Sequence, residues 1–238
     1  MKARTAAIVL AAGRGSRMNS KIQKQYLLLK DKPVLYYSLK AFEESFIDEI
    51  ILVTGEEEIG YCRKEIVEKY AFTKVSHIVA GGKERYHSVF CGLQSLTDCD
   101  YVFIHDGARP FVTEQILERA YETVQKEHAC VVGMPVKDTI KLADESGYAQ
   151  ETPRRDRLWM VQTPQVFSFA LVKSAYASFL EREQELLAQG IKMTDDAMVV
   201  ETFTDVRIRL VEGSYENIKI TTPEDLRIAE ALLTTDIL

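Results

Sequence analysis

Between residues 6 and 136 the chain repeats one unit, a short apolar run rich in β-branched residues followed by a stretch of helical amphipathic period. The runs are AAIVLAA from Ala6, EIILVT ending at Thr54, VSHIV ending at Val79, YVFIH ending at His105 and CVVGMPV ending at Val136. Runs this short and this continuously apolar are what strands buried on both faces look like. Between them lie amphipathic stretches from Pro33 to Glu44, Glu57 to Tyr70, Ser88 to Ser95 and Thr113 to Glu127. That alternation predicts an α/β fold, a Rossmann-like doubly wound and mostly parallel sheet with helices on both faces. A chain of 238 residues, 46% of them apolar, is large enough to bury such a core as one domain spanning its whole length.

The pattern changes after Val136. From residue 137 to about 157 there is no helical period, only short strand-like runs broken by the turn Asp144-Glu145-Ser146-Gly147, which predicts a β-arm projecting from the sheet. A long helix is expected from about Phe169 to Gln189, stopped by Gly190, then a strand near Arg207 to Val211. The last helix opens at Thr222-Pro223-Glu224-Asp225, with Thr222 as N-cap, proline at the first helical position and acidic residues at the positive helix end.

A formal net charge of -6 argues against a surface for nucleic acid or an anionic membrane, so any anionic ligand must be held by a local cluster of cations. Cys62, Cys91, Cys99 and Cys130 are irregularly spaced and have no histidines at zinc-ligand spacing, so reduced and mostly buried thiols are expected. Lys2 and Arg4 ahead of the first apolar run have the outline of a secretory leader, but the run is short and leads straight into a glycine turn. A first strand and a cytoplasmic location are the expectation.

Three loops at strand ends carry candidate chemistry. AAGRGSRM, Ala11 to Met18, follows the first strand, with Lys24 close behind. The glycines Gly13 and Gly15 let backbone N–H groups approach phosphates, and Ala11 and Ala12 leave room for a flat base. No Gly-Lys-Ser/Thr closes a Walker A loop, and Met18 stands where a dinucleotide fingerprint has its third glycine. Taken alone, the glycines read equally well as a tight strand-to-helix turn. The second loop, Gly81-Gly82-Lys83-Glu84-Arg85 with Ser88 beyond, falls beside the first in a doubly wound sheet; backbone at Gly82 and the Ser88 hydroxyl suit the edge of a pyrimidine, or an ordinary turn. The third is His105-Asp106-Gly107-Ala108-Arg109-Pro110. Its carboxylate suits a magnesium ion or a ribose hydroxyl and Arg109 suits a phosphate, unless the two simply pair.

AAGRGSRM with Lys24-Gln25-Tyr26, GGKER with Ser88, HDGARP, VKDTIK, LWMVQTPQVF, TDDAMVVE and VEGSYENIKITTPEDL occur in this order along nearly the whole chain. In this the chain resembles the methylerythritol phosphate cytidylyltransferase family. Three positions depart from that pattern: Gln23 replaces a proline, Lys83 an aspartate and Gly107 an alanine. The resemblance implies a nucleotidyltransferase that takes CTP and a sugar-alcohol phosphate, uses Mg2+, and works as a homodimer whose arms reach into neighbouring sites.

It further implies that Arg17 and Lys24 stabilise the transition state and that Arg155 and Lys219 position the acceptor phosphate. Ala11, Ala12, Gly13, Gly82 and Ser88 would surround the nucleotide. Asp106 would lie near ribose, acceptor hydroxyls and metal, and Arg109, Thr139, Thr163 and Thr194 would touch the acceptor. A phosphate monoester is largely dianionic at neutral pH, so the chemistry needs positive charge and positioning, with no general base or covalent intermediate. Alternatives from the same residues are a ribitol 5-phosphate cytidylyltransferase, a nicotinamide-dependent oxidoreductase and a non-catalytic nucleotide-binding module.

Overall fold

The structure, a computed structural model, describes residues 3–13 and 23–234. In chain order its strands and helices are β1 (Thr5–Ala11), β2 (Leu28–Leu29), β3 (Lys32–Pro33), α1 (Val34–Glu43), β4 (Glu49–Thr54), α2 (Ile59–Tyr61), β5 (Val75–Ala80), α3 (Arg85–Ser95), β6 (Tyr101–Asp106) and α4 (Glu114–Glu127). There follow β7 (Ala129–Pro135), β8 (Leu142–Ala143), β9 (Ala149–Glu151), β10 (Trp159–Ser168), α5 (Phe169–Glu181), α6 (Glu183–Ala188), α7 (Asp196–Phe203), β11 (Arg209–Glu212) and α8 (Pro223–Thr234). Among the described residues seven strands form one sheet in the order β11-β7-β10-β6-β1-β4-β5. All neighbours are parallel except β10, which runs antiparallel to both β6 and β7.

The period-2 geometry of β1 divides its side chains between two cores. Ala7, Val9 and Ala11 join Leu35, Leu39 and Phe42 of α1 and Leu117 and Val124 of α4 on one face. Ala6 and Ile8 join Val89 and Leu93 of α3, Tyr176 of α5 and Val199 of α7 on the other. The continuous apolar runs of the sequence are thus the price of covering both faces of the sheet. β1 is the pivot: the chain steps from it to β4 and β5 on one side, then returns to β6 on the other, opening a crevice at the carboxyl ends of β1 and β6.

Three sequence expectations change. Trp159 to Ser168, between the expected arm and the expected helix, forms the ten-residue strand β10, which is inserted between β6 and β7. The single long helix expected from Phe169 to Gln189 is two helices, because Arg182 adopts φ -110°, ψ 7° and breaks the turn between α5 and α6. The helix expected over Glu57 to Tyr70 is a 3-10 turn, the single α-turn of α2 and a π-helix over Cys62–Glu68.

The arm is a ladder that leaves the sheet between β7 and β10. Pro135 pairs with Trp159, Val136 N donates to Leu158 O, and Arg155 Nη1 donates to Lys137 O. Above these, Lys141 Nζ meets Thr152 Oγ1 and β8 pairs with β9. At the tip, Asp144 Oδ1 accepts from Ser146 N and Tyr148 N, with Gly147 at φ 86°.

Candidate active site

The crevice holds a cavity of about 660 Å³ lined by Leu10, Ala11, Ala12, Gly13, Lys24, Gln25, Gly82, Lys83, Glu84, Arg85, Ser88, Asp106, Ala108 and Lys219. Four separate segments converge there. The residues after β1 form one wall, those after β5 another, the end of β6 the floor, and the segment ahead of α8 brings Lys219.

Lys24 opens a 3-10 turn whose next two residues are anchors. The buried Gln25 donates its amide to Ala11 O at 2.5 Å and Gly13 O at 3.1 Å, and Tyr26 OH meets Thr54 Oγ1 at 2.6 Å. Gln25 therefore ties the turn that carries Lys24 to the end of β1. Arg17 and Gly15 lie outside the described residues.

On the opposite wall, Gly81 and Gly82 leave room that a side chain would fill: a Cβ at Gly81 would sit 2.6 Å from both Ala12 Cβ and Ser88 Oγ. The Ser88 hydroxyl accepts from Gly82 N at 3.1 Å and bonds Glu84 O at 3.3 Å, which holds the loop over α3. A capping box formed by Glu84 and His87 starts α3 three residues before the expected Ser88. Because His87 Nδ1 accepts from Glu84 N, its Nε2 carries the proton donated to Glu183 Oε2.

Asp106 closes β6 between two cations, with Lys219 Nζ 2.6 Å from Oδ2 and Arg85 Nε 3.3 Å from Oδ1. Burial alone would raise its pKa; Arg85 and then Lys219 outweigh burial and hold the carboxyl far below the usual range. Lys219 is carried to this point by a buried staple. Ile220 N donates to Ala108 O, and Asn217 Nδ2 donates to Thr163 O.

Arg109 is only 9% exposed and gives Nη1 to Asn217 O, so it braces the Lys219 segment from behind the cavity wall. Thr163 is likewise buried, its Oγ1 accepting from Asp106 N at 3.1 Å and meeting His105 Nδ1 at 3.0 Å. His105 is fully buried with Nε2 3.1 Å from Arg109 O, and burial pushes its pKa down to about 4.

The structure thus gathers Ala11, Ala12, Gly13, Lys24, Gly82, Ser88, Asp106 and Lys219 around one cavity. Thr163 and Arg109 stand immediately behind it. Thr139 and Arg155 lie on the exposed arm, and Thr194 is exposed in the segment before α7, none of them lining the cavity. Two contributors went unread in the sequence: Asn217, fully buried, and Arg85, the last residue of GGKER. Neither carries a local signal, since both act through partners that only the fold supplies.

Among the described residues no group of three or more His, Cys, Asp or Glu could hold a metal ion. Of the two carboxylates that line the cavity, Glu84 caps α3, and Asp106 alone could hold a divalent cation only together with oxygens of a bound ligand.

A family model described as 2-C-methyl-D-erythritol 4-phosphate cytidylyltransferase matches residues 5–235. The protein of that name from Lachnospira eligens is 54% identical over 228 residues, 95% of this chain and 98% of its own length. That from Lachnoclostridium phytofermentans is 50% identical over 227 residues, 95% of each chain. Among solved structures, 4-diphosphocytidyl-2C-methyl-D-erythritol synthase from Anaerococcus prevotii matches with a TM-score of 0.81 at 35% identity, covering 98% of this chain and 96% of that one.

Proposed function

The chain belongs to the 2-C-methyl-D-erythritol 4-phosphate cytidylyltransferase family, and on that footing we propose that it joins CTP to 2-C-methyl-D-erythritol 4-phosphate in non-mevalonate isoprenoid biosynthesis. An oxygen of the acceptor phosphate attacks the α-phosphorus of CTP, the bond from that phosphorus to the β-phosphate oxygen breaks, and 4-diphosphocytidyl-2-C-methyl-D-erythritol and pyrophosphate result. The observation that carries this reading is the convergence of Lys24 and Lys219 with Asp106 in one glycine-walled cavity at the sheet's crossover. Two anions must be brought together there, and preorganised cations are what that step requires.

The base and ribose of CTP are read against Ala11, Ala12, Gly13, Gly82 and Ser88, with Asp106 at the ribose. Lys24, together with Arg17, neutralises charge on the triphosphate, and Lys219 turns to the acceptor phosphate. Mg2+ would be held by Asp106 with phosphate oxygens, where it supplies Lewis-acid charge neutralisation. The ion pair of Asp106 with Lys219 supports that role, because it marks the carboxylate as one that keeps a cation beside it.

The reading extends to the whole chain as one nucleotidyltransferase domain with its arm at about 137–157, and to a homodimer in which Thr139 and Arg155 of each arm serve the neighbouring acceptor site, with Thr194 on the acceptor side and Arg109 and Thr163 bracing the cavity from behind. Exposed apolar side chains on the arm and its root support the dimer, Tyr148 at 75% and Met160 and Val161 at 45% and 46%. Sedimentation of the purified protein should give twice the chain mass, and a monomer across the micromolar range would sink this part. All four cysteines are free thiols, which suits the cytoplasm; no helix among the described residues is long and apolar enough to cross a membrane.

The test is pyrophosphate release with CTP and magnesium, comparing 2-C-methyl-D-erythritol 4-phosphate with ribitol 5-phosphate and CTP with UTP. Release confined to CTP with methylerythritol phosphate is expected. Release with ribitol 5-phosphate alone would change the acceptor, and silence with both would overturn the activity.

A further inference from the structure

Arg85 is the first residue of α3 and spends every guanidinium nitrogen on a carboxylate. Its Nη1 and Nη2 fork onto Asp196 Oδ1 and Oδ2 at 2.7 and 2.8 Å, leaving Nε to face Asp106 Oδ1 at 3.3 Å. Asp196, in the first turn of α7, is fully buried and takes a third hydrogen bond from the equally buried Tyr176 OH at 2.5 Å. Burial alone would lower the Arg85 pKa, but Asp196 and Asp106 raise it well above its ordinary value, so the guanidinium is permanently charged.

A buried ion pair of this kind costs much desolvation, and apolar residues of the same volume would often serve stability as well or better. What apolar residues cannot do is fix the direction of a neighbouring carboxylate. Asp196 also sits in the segment that begins with Thr194, and that segment is itself pinned. Gln165 Nε2 donates to Asp195 Oδ2 and Gln165 Oε1 accepts from Ala197 N, both at 2.9 Å. The Arg85 fork therefore joins the start of α3, on the nucleotide wall, to the first turn of α7, directly after the Thr194 segment.

We propose that Arg85, clamped by Asp196 and Tyr176, is a positioning residue that sets the orientation of Asp106 in the cavity and locks the nucleotide wall to the Thr194 segment. The inference rests on the reading of the cavity as a CTP site. Lysine keeps the charge but has no planar fork, so Arg85→Lys frees Asp106 from one side without removing the cation. Tyr176→Phe leaves the ion pair in place and removes only the hydroxyl that orients Asp196.

The experiment measures CTP binding by titration calorimetry with magnesium present, kcat and KM for both substrates, and thermal midpoints, for the wild type, Arg85→Lys, Tyr176→Phe, Asp106→Asn and the double variant Arg85→Lys/Asp106→Asn. Arg85→Lys should weaken CTP binding and raise the KM for CTP by about tenfold or more, the scale of one lost buried charge contact, with kcat falling as well. Tyr176→Phe should move the same quantities in the same direction by less. The Arg85→Lys effect should largely vanish in the Asp106→Asn background, since a residue acting through Asp106 has nothing left to position.

A folded Arg85→Lys protein with CTP affinity and kcat within about twofold of wild type would overturn the proposal, as would full additivity with Asp106→Asn. If Arg85→Lys does not fold, Tyr176→Phe decides: an unchanged CTP affinity overturns it. Failure of wild type to bind CTP would instead strike the assignment of the cavity, an outcome separate from any variant's behaviour.

Discussion

At the scale of single residues, the cavity brings Lys24 and Lys219 together beside Asp106, as the proposed meeting of two phosphates requires. Lys24 is presented by a turn whose next two side chains are tied down, so its loss should change charge without changing shape. Lys24→Ala is expected to lower turnover by about 10²- to 10³-fold, the range for removing one preorganised donor. Its thermal midpoint should stay close to wild type. Near-normal turnover in a folded variant would remove Lys24 from the mechanism. Lys24 and Asp106 were legible in the sequence because each belongs to a motif that follows a strand, whereas Lys219 came only with the family resemblance. Arg85 and Asn217 were not, because their partners are 111 and 108 residues away in the chain, and no spacing rule reaches that far.

At the scale of elements, the glycine loop after β5 is a spacer between two walls. Gly81 has Ala12 on one side and Ser88 on the other, both 2.6 Å from where a Cβ would stand, so Gly81→Ala must push the walls apart. Overpacking of this kind costs about 1–3 kcal/mol. Because the strain falls on the walls proposed to hold CTP, calorimetry should show CTP affinity reduced by roughly two- to tenfold if half of that cost is borne only in the bound state. Unchanged affinity would mean that the loop relaxes outward. The five apolar runs were legible as strands because burial on both faces leaves a continuous signal. β10 was harder, since its first three residues, Trp159 to Val161, are partly exposed and follow directly on the arm, while the next six enter the core. The break at Arg182 was hidden because the sequence keeps its helical period across a single residue whose backbone departs from it.

At the scale of the whole molecule, one strand end makes stability sensitive to acid. His105 is neutral in the native protein, its pKa pushed down to about 4 by complete burial, whereas an unfolded histidine takes a proton near 6.5. Its contribution is fully present above about pH 6.5 and is lost as pH falls toward 4, amounting to about 2 kcal/mol by pH 5. Asp106, held far below the carboxylate range, acts in the same sense but only below about pH 4. Urea unfolding at pH 7 and pH 5 should show that loss, and His105→Gln, which keeps an amide donor and acceptor, should flatten it. An equal slope in both proteins would place the acid sensitivity elsewhere.

The arm, finally, is jointed at its root. Backbone pairing along β7 and β10 ends at Val136 and Leu158 and resumes only at Leu142 and Glu151. Between them stand the 3-10 turn Arg155–Arg157 and two side-chain links, Arg155 to Lys137 O and Lys141 to Thr152. Below that joint, β7 and β10 shift register between Val161 and Gln165, beside the Thr163 hydroxyl that receives the backbone N–H of Asp106. Whatever grips the tip therefore reaches the floor of the cavity only through a knuckle of a few side-chain bonds.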